Sequence, residues 1–367
     1  MLHRVVVKIG SSSLTSDGGG LDREAVSFYA AGIAHLRTNG YQPVLVTSGA
    51  VAAGFKQIGY AKRPKLLHEK QAAAAVGQAL LMQHYNQAFG KHDIFAAQVL
   101  LTRADFNSRK RMSNASMALE ELLKQGIIPI INENDTVSID ELRFGDNDTL
   151  SALVAGLMKA DKLVILTDMD GLYTQDPRVD PLATRIPVVH DITDDMYTAA
   201  GGSGSAVGTG GMRSKLEAAR IATRGGIPVF VGVVKQPEEL LQAVAGHGQG
   251  TEFSTSSAFL SHKKQWLGFH STPLGRLMID SGAEEALICD RRSLLPVGVR
   301  GVQGSFHAGD VVEVLNVDGT HLGRGITNYG AEQLNTIKGL TSHEVIKHLD
   351  VMHRLEVIHR DEWISLK

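Results

Sequence analysis

Residues 129–149 read PIINENDTVSIDELRFGDNDT, and this stretch decides how the rest of the chain is read. The run GIIPII leading into it is continuously apolar, as expected of a strand covered on both faces. It ends in an acid–amide cluster, Asn132, Glu133, Asn134 and Asp135. A hairpin-like excursion over Val137–Gly145 follows, and then a second cluster, Asp146, Asn147 and Asp148, at the mouth of the apolar helical run LSALVAGLM. Polar groups gathered at a strand end and a helix mouth are costly to bury in a core. They suit a site that grips a small zwitterion by its ammonium group and its carboxylate.

The same strand pattern recurs at residues 4–9, 43–47, 94–101, 127–132, 162–167 and 227–232. Helical periodicity lies between these runs, at about 22–39, 68–90, 113–125, 149–159, 213–225 and 236–245. The alternation predicts an α/β three-layer sandwich, a mainly parallel central sheet with helices on both sides. Ligands of such sheets sit beyond the carboxyl ends of the strands. Gly10-Ser11-Ser12, Ser48-Gly49-Ala50, Asn132–Asp135 and Thr167-Asp168 all fall there. The texture changes near residue 255. Residues 1–255 form one expected domain and 256–273 a linker. Residues 274–355 form a small β-rich domain with short, glycine-punctuated elements, and 356–367 a C-terminal tail.

A length of 367 residues accommodates two domains, with 43% hydrophobic and 21% charged residues typical of globular proteins. The net charge of −2 supplies no field for nucleic acid or an anionic membrane. Cys289 is the only cysteine, which excludes an intrachain disulfide and a thiol metal cluster and suggests a small buried filler. The N-terminus MLHRVVVKIGSSSLT lacks a signal core, and no run reaches the ~18 apolar residues of a membrane span, so a cytoplasmic location is expected.

Several familiar motifs are missing. There is neither a GxxxxGK[ST] loop nor a GxGxxG after a strand. His343-Glu344 with His348 is spaced wrongly for two zinc ligands on one helix face, and His359-Arg360-Asp361 lacks the asparagine of a protein-kinase loop. What is present is the run GGSGSAVGTGGMRSK over Gly201–Lys215, which opens a helix. It is either a flexible glycine loop or a cradle whose N–H groups and helix dipole bind phosphate. Lys215 in the first helical turn is disfavoured by the dipole unless an anion is near. Lys8 lies inside the apolar strand VVVKIG, where a lysine needs a partner unless it snorkels from an edge. Its place at the strand's carboxyl end favours function. Thr167-Asp168 could cap a turn or bind a nucleotide, and Ser48 could cap a helix or help grip a carboxylate.

In this order, the segments VVVKIGSSSLT, LVTSGAVAAG, PIINENDTVSIDELRFGDNDTLSALVA, LTDMDGLYTQDPR and GTGGMRSK resemble the amino-acid kinase family. NENDTV followed by GDND is most similar to the branch that phosphorylates L-glutamate. The run SLLPVGVRGVQGSFHAGDVVEV resembles a PUA domain, which that branch carries behind the kinase domain. The resemblance implies the amino-acid kinase fold and transfer of a phosphoryl group from ATP, with Mg2+, to the 5-carboxylate of L-glutamate, opening proline biosynthesis. It implies catalytic roles for Lys8, Lys215 and Asp148, with Asp148 holding the two lysines. Ser48, Gly49, Asn132, Asp135 and Asn147 would bind glutamate. Lys8, Thr167, Asp168, Thr209, Gly210, Gly211, Met212, Arg213, Ser214 and Lys215 would bind ATP. No protein metal ligand is implied. Ser214 departs from the family's frequent threonine but keeps the hydroxyl. Proline as an inhibitor, a dimer or tetramer, and coupling to glutamate-5-semialdehyde dehydrogenase are further implications. The excursion Val137–Gly145 is the expected lid.

Two other readings compete. PUA domains occur in RNA-modifying enzymes, but residues 273–367 hold 10 Lys+Arg against 13 Asp+Glu, the wrong sign for an RNA footprint. A kinase for another acid, such as aspartate or acetylglutamate, would share most of the segments quoted.

Overall fold

The computed structural model describes residues 3–16, 18–138, 147–200, 211–255, 273–348 and 355–365. The chain divides into two compact units, Met1–Phe259 and Leu260–Lys367.

The first unit is built on β1 (His3–Ile9), β2 (Tyr41–Val46), β3 (Ala96–Leu101), β4 (Ile128–Glu133), β5 (Lys162–Leu166), β8 (Val188–Val189), β9 (Val229–Val233) and β10 (Gln249–Phe253). The short pair β6 (Leu172–Tyr173) and β7 (Arg185–Ile186) stands apart as a two-stranded ribbon. The sheet order is β3-β4-β2-β1-β5-β9-β10-β8. The six strands from β3 to β9 in that order are parallel, and β10 runs antiparallel to β9. The expected mainly parallel sheet is therefore found, with two strands, β10 and β8, that run against the rest and that the sequence reading missed. QGTEF in β10 carries polar residues and shows no apolar run.

Helices α1 (Arg23–Thr38), α2 (Ala50–Gly54), α3 (Leu67–Gly90), α4 (Arg103–Asn107), α5 (Arg109–Lys124), α6 (Asn147–Leu157), α7 (Asp194–Ala199), α8 (Met212–Arg224) and α9 (Glu239–Val244) complete this unit. Val5, Val7, Ile9, Leu45, Ile130, Val164 and Leu166 point into one core with residues of α1, α3 and α9. Side chains alternate along a strand, so Val6 and Lys8 face the opposite layer. That layer is α6, packed on β1, β2, β4 and β5 and against α8. The helical region expected at 113–125 begins earlier, as α4 and α5. Thr102 and Asp105 form a capping box on α4, and the Ser108 side chain accepts from Arg111 N on α5. The polar first turns of α5 obscure its periodicity.

The second unit is a five-stranded sheet of β11 (Gly275–Ile279), β12 (Val299–Gly304), β13 (Val311–Asn316), β14 (His321–Thr327) and β15 (Ile358–Ser365), in the order β12-β11-β13-β14-β15. Its core gathers Leu277, Ile279, Val312, Val314, Leu322 and Tyr329. The segment set apart above as a tail contains β15, which pairs with β14 and buries Ile358, Trp363 and Ile364. Cys289 is exposed and not a buried filler. It lies just past the helix Ser281–Ile288, beyond the last buried position, Leu287. Among the described residues no helix is long and apolar enough to cross a membrane.

Candidate active site

Strands β4, β2, β1 and β5 lie side by side and end together, which sets Asn132, Thr47-Ser48, Lys8 and Thr167 along one edge. The sheet's connections diverge to either side of β1 here, where α/β folds form crevices. Lys8 is not an edge lysine, because its neighbours in register are Val46 and Ile165. Its ammonium group pairs with Asp148 Oδ1 in the first turn of α6. Lys215 Nζ, from the first turns of α8, lies 3.1 Å from Asp148 Oδ2. Ser214 Oγ donates to the same oxygen at 2.7 Å.

Asp148 is 0% exposed, Lys8 4% and Lys215 6%. Burial by itself would raise the Asp148 carboxyl, but the adjacent Lys8 and Lys215 charges override it and hold the group well below the usual carboxylate range. Within this cluster two buried cations stand against one anion, an excess of positive charge. That excess is a standing demand for an anionic ligand. It also answers the question posed by a lysine at the N-terminal end of a helix, since Asp148 offsets the unfavourable dipole.

The second constellation begins one residue earlier. Asn147 Nδ2 donates to Thr47 O at 2.9 Å, Ser48 Oγ at 2.8 Å and Asn132 Oδ1 at 3.0 Å. Ser48 therefore serves this cluster and not a helix cap; the N-cap of α2 is Gly49, at φ 102°, a conformation that glycine tolerates. Asn132 Nδ2 in turn donates to Gln78 Oε1 at 2.9 Å, and Gln78 Nε2 to Gln98 Oε1 at 2.9 Å. Thr47 Oγ1 and Tyr85 OH share a hydrogen bond of 2.8 Å behind this group. Asp135 is half-buried, and its charge acts on the half-buried Arg63 guanidinium, whose pKa burial lowers and Asp135 raises in part.

Thr167 is buried and donates through Oγ1 to the exposed Asp168 Oδ1 at 3.0 Å. Gly211 is the N-cap of α8, and Met212, Arg213, Ser214 and Lys215 form its opening turns. Thr209 and Gly210 lie outside the described residues, as does most of the expected lid, residues 139–145, and Asp146. The structure thus brings Lys8, Lys215, Ser214 and Asp148 into one cluster and Ser48, Asn132 and Asn147 into its neighbour. Consecutive residues Asn147 and Asp148 join the two.

Gln78, Gln98, Arg63 and Tyr85 escaped the sequence reading. The only signal for Gln78 is a lone amide in the alanine-rich run AAAAVGQALL, and nothing in GYAKRPK marks Arg63.

Comparison with known proteins extends this geometry. The model of the amino acid kinase family matches residues 3–232, and that of the PUA domain residues 275–349. A glutamate 5-kinase of Geobacillus kaustophilus is 51% identical, covering 100% of this chain and 98% of the relative. One from Geobacillus thermodenitrificans is 50% identical over the same shares. The solved carbamate kinase from Giardia lamblia bound to AMP-PNP is 16% identical, covers 69% of this chain and 99% of its own, and has a TM-score of 0.53, a likeness of fold.

Proposed function

Given that the chain belongs to the amino acid kinase family, among its glutamate 5-kinases, we propose that the two clusters at the sheet edge are the phosphoryl and acceptor sides of one glutamate-phosphorylating site. The protein transfers the γ-phosphoryl group of ATP to the 5-carboxylate of L-glutamate, giving glutamate 5-phosphate and ADP, the first step of proline biosynthesis. The observation that carries the site assignment is the pair of buried lysines on a single buried carboxylate, beside a fully oriented amide cluster.

The acceptor is a carboxylate and needs no general base. A carboxylate oxygen bonds to the γ-phosphorus as the bond to the β–γ bridging oxygen breaks, and ADP leaves with that electron pair. The obstacle is mutual repulsion of two anions, so catalysis is positioning and charge stabilisation. Lys8 and Lys215 meet the transferring group, and Asp148 fixes where their charges stand. Thr167, Asp168 and the segment Thr209–Lys215 bind ATP. Ser48, Gly49, Asn132, Asp135 and Asn147 bind glutamate. Lys8 and Lys215 take one oxygen each of Asp148. Mg2+ would ride on the phosphate oxygens of ATP and neutralise part of their charge.

From the family resemblance we further propose that proline acts as feedback inhibitor, that the protein assembles as a dimer or tetramer in the cytoplasm, and that it is functionally coupled to glutamate-5-semialdehyde dehydrogenase. Residues 274–355 act as a PUA domain without RNA, on the grounds of their acidic balance.

Trapping the acyl phosphate with hydroxylamine over a panel of acids tests the reading. Hydroxamate should form from L-glutamate and not from aspartate or acetylglutamate. A preference for another acid reassigns the acceptor, and no hydroxamate from any acid ends the reading.

A further inference from the structure

The row Gln98, Gln78, Asn132, Asn147 is a chain of side-chain amides in which every orientation is forced. Thr47 O is a carbonyl and can only accept, so the group Asn147 turns toward it must be Nδ2. Glu133 N can only donate, and it reaches Asn132 Oδ1 at 2.9 Å. Asn132 Nδ2 then faces Gln78, which must present Oε1 to it, and Gln78 Nε2 is left for Gln98 Oε1. Two backbone groups thus set the direction of the row. One consequence falls on the atom that remains. Asn147 Oδ1 is buried and has no hydrogen-bond partner among the described residues. An acceptor left bare in that way asks for a donor brought by the ligand.

We propose that Gln78 is a positioning residue for amine recognition: by holding Asn132, it keeps Asn147 turned with its carbonyl oxygen toward the substrate, where it accepts from the α-ammonium group of an amino-acid acceptor. The inference rests on the glutamate-phosphorylating reading above and deepens it. Gln78 is 8% exposed and sits on α3. Its neighbour Gly77 has no room for a side chain: a Cβ there would stand 1.8 Å from Ala50 O, so α3 carries Gln78 into place backbone against backbone with α2. The backbone groups fix which end of each amide faces which way, but not how firmly it is held. Without Gln78 the Asn132 Nδ2 donor loses its buried acceptor, Asn132 can shift on its one remaining anchor, Glu133 N, and Asn147 loses one of the three acceptors that steady its Nδ2.

The test compares L-glutamate with glutarate, which has both carboxylates and no amine, in the hydroxylamine assay. Three variants of the full chain are used: Gln78→Met, an apolar near-isostere; Gln78→Asn, which withdraws the amide by one methylene; and Gln78→Glu, which keeps an acceptor for Asn132. Gln78→Met should raise KM for L-glutamate about tenfold with kcat within about twofold, while KM for glutarate barely moves, so that the amine loses about 1.4 kcal/mol of its value. Gln78→Asn should follow it, and it carries the test if the methionine variant does not fold. Gln78→Glu should restore most of the wild-type preference. The inference is overturned if Gln78→Met or Gln78→Asn keeps the wild-type ratio, or if Gln78→Glu loses it as fully as they do. Wild-type protein that makes no hydroxamate from L-glutamate would instead defeat the underlying reading, a result separate from either.

Discussion

Lys215 donates to Asp148 Oδ2 at 3.1 Å across 67 residues of sequence, tying the first turns of α8 to the first turn of α6. Lys8 takes the other oxygen of the same carboxylate from the neighbouring strand. The two helices and the strand are therefore tied together at one buried carboxylate. Replacing Lys215 by alanine removes a cation from the proposed phosphoryl side but leaves Asp148 paired with Lys8. We expect kcat to fall by roughly 10^2–10^3-fold, the loss typical of one preorganised donor, with the circular dichroism spectrum unchanged. Steady-state kinetics settle it, and a near-normal kcat removes Lys215 from the reaction.

The depressed Asp148 carboxyl makes a prediction about acid. Burial opposes its charge, and the two lysines more than reverse that. The folded carboxyl then releases its proton at lower pH than the unfolded one, near 3.9. Between those values the unfolded state binds more protons, so stability rises with pH. The contribution is complete above about pH 5 and is lost as pH falls through the folded value. Urea unfolding of wild type and Asp148→Asn across pH 3–7 should give a stability difference that is flat above about pH 5 and shrinks by about 1 kcal/mol by pH 3. A difference independent of pH would mean that the carboxyl is not held by the lysines.

Helices α2 and α3 meet through glycines. A Cβ at Gly54 would stand 2.0 Å from Ala73 O, and one at Gly77 1.8 Å from Ala50 O. Gly77→Ala must push the helices apart, which overpacking data put at about 1–3 kcal/mol. The shift would displace Ser48, just ahead of α2, and Gln78 on α3, so KM for glutamate should rise along with the loss of Tm. A variant as stable as wild type would show that the close approach is relaxed in solution.

Sequence made the central strands legible because each is covered on both faces and therefore apolar throughout. It made Lys8 legible for the converse reason: a charge in β1 has no apolar explanation. Asp148 and Lys215 were recognisable as a pair only through family resemblance, since 67 residues separate them and the contact depends on how α6 and α8 pack. Gln78 is invisible in the sequence because the small and apolar residues around it, Val76, Gly77, Ala79 and Leu80, look like ordinary helix filler, and its partners lie on β3 and β4. Arg63 sits in a segment without periodicity, and its link to Asp135 is a tertiary one. β15 was misread as a tail because IHRDEWIS hides three buried side chains among charged ones. Except for β15, what fails to show is a relation between distant segments.

Ser214 offers the finest test of the lysine cluster. Its hydroxyl donates to Asp148 Oδ2 at 2.7 Å and also lies 2.8 Å from Gly211 O at the N-cap of α8. The hydroxyl therefore orients the carboxylate without adding charge, and it anchors the turn that presents Lys215. Ser214→Ala leaves Asp148 with its two lysines but removes a hydrogen bond to a charged group, worth about 1.5–3 kcal/mol. Part of that loss should appear as a kcat lowered about tenfold, because the lysines are then free to shift against the carboxylate. Ser214→Thr keeps the hydroxyl and should stay within about twofold of wild type, since threonine can adopt a rotamer that directs Oγ1 to the same oxygen. If alanine and threonine prove equally active, the hydroxyl is a helix-end contact alone. If both are equally impaired, the added methyl group matters, and the turn around Gly211 is packed more tightly than its hydrogen bonds imply.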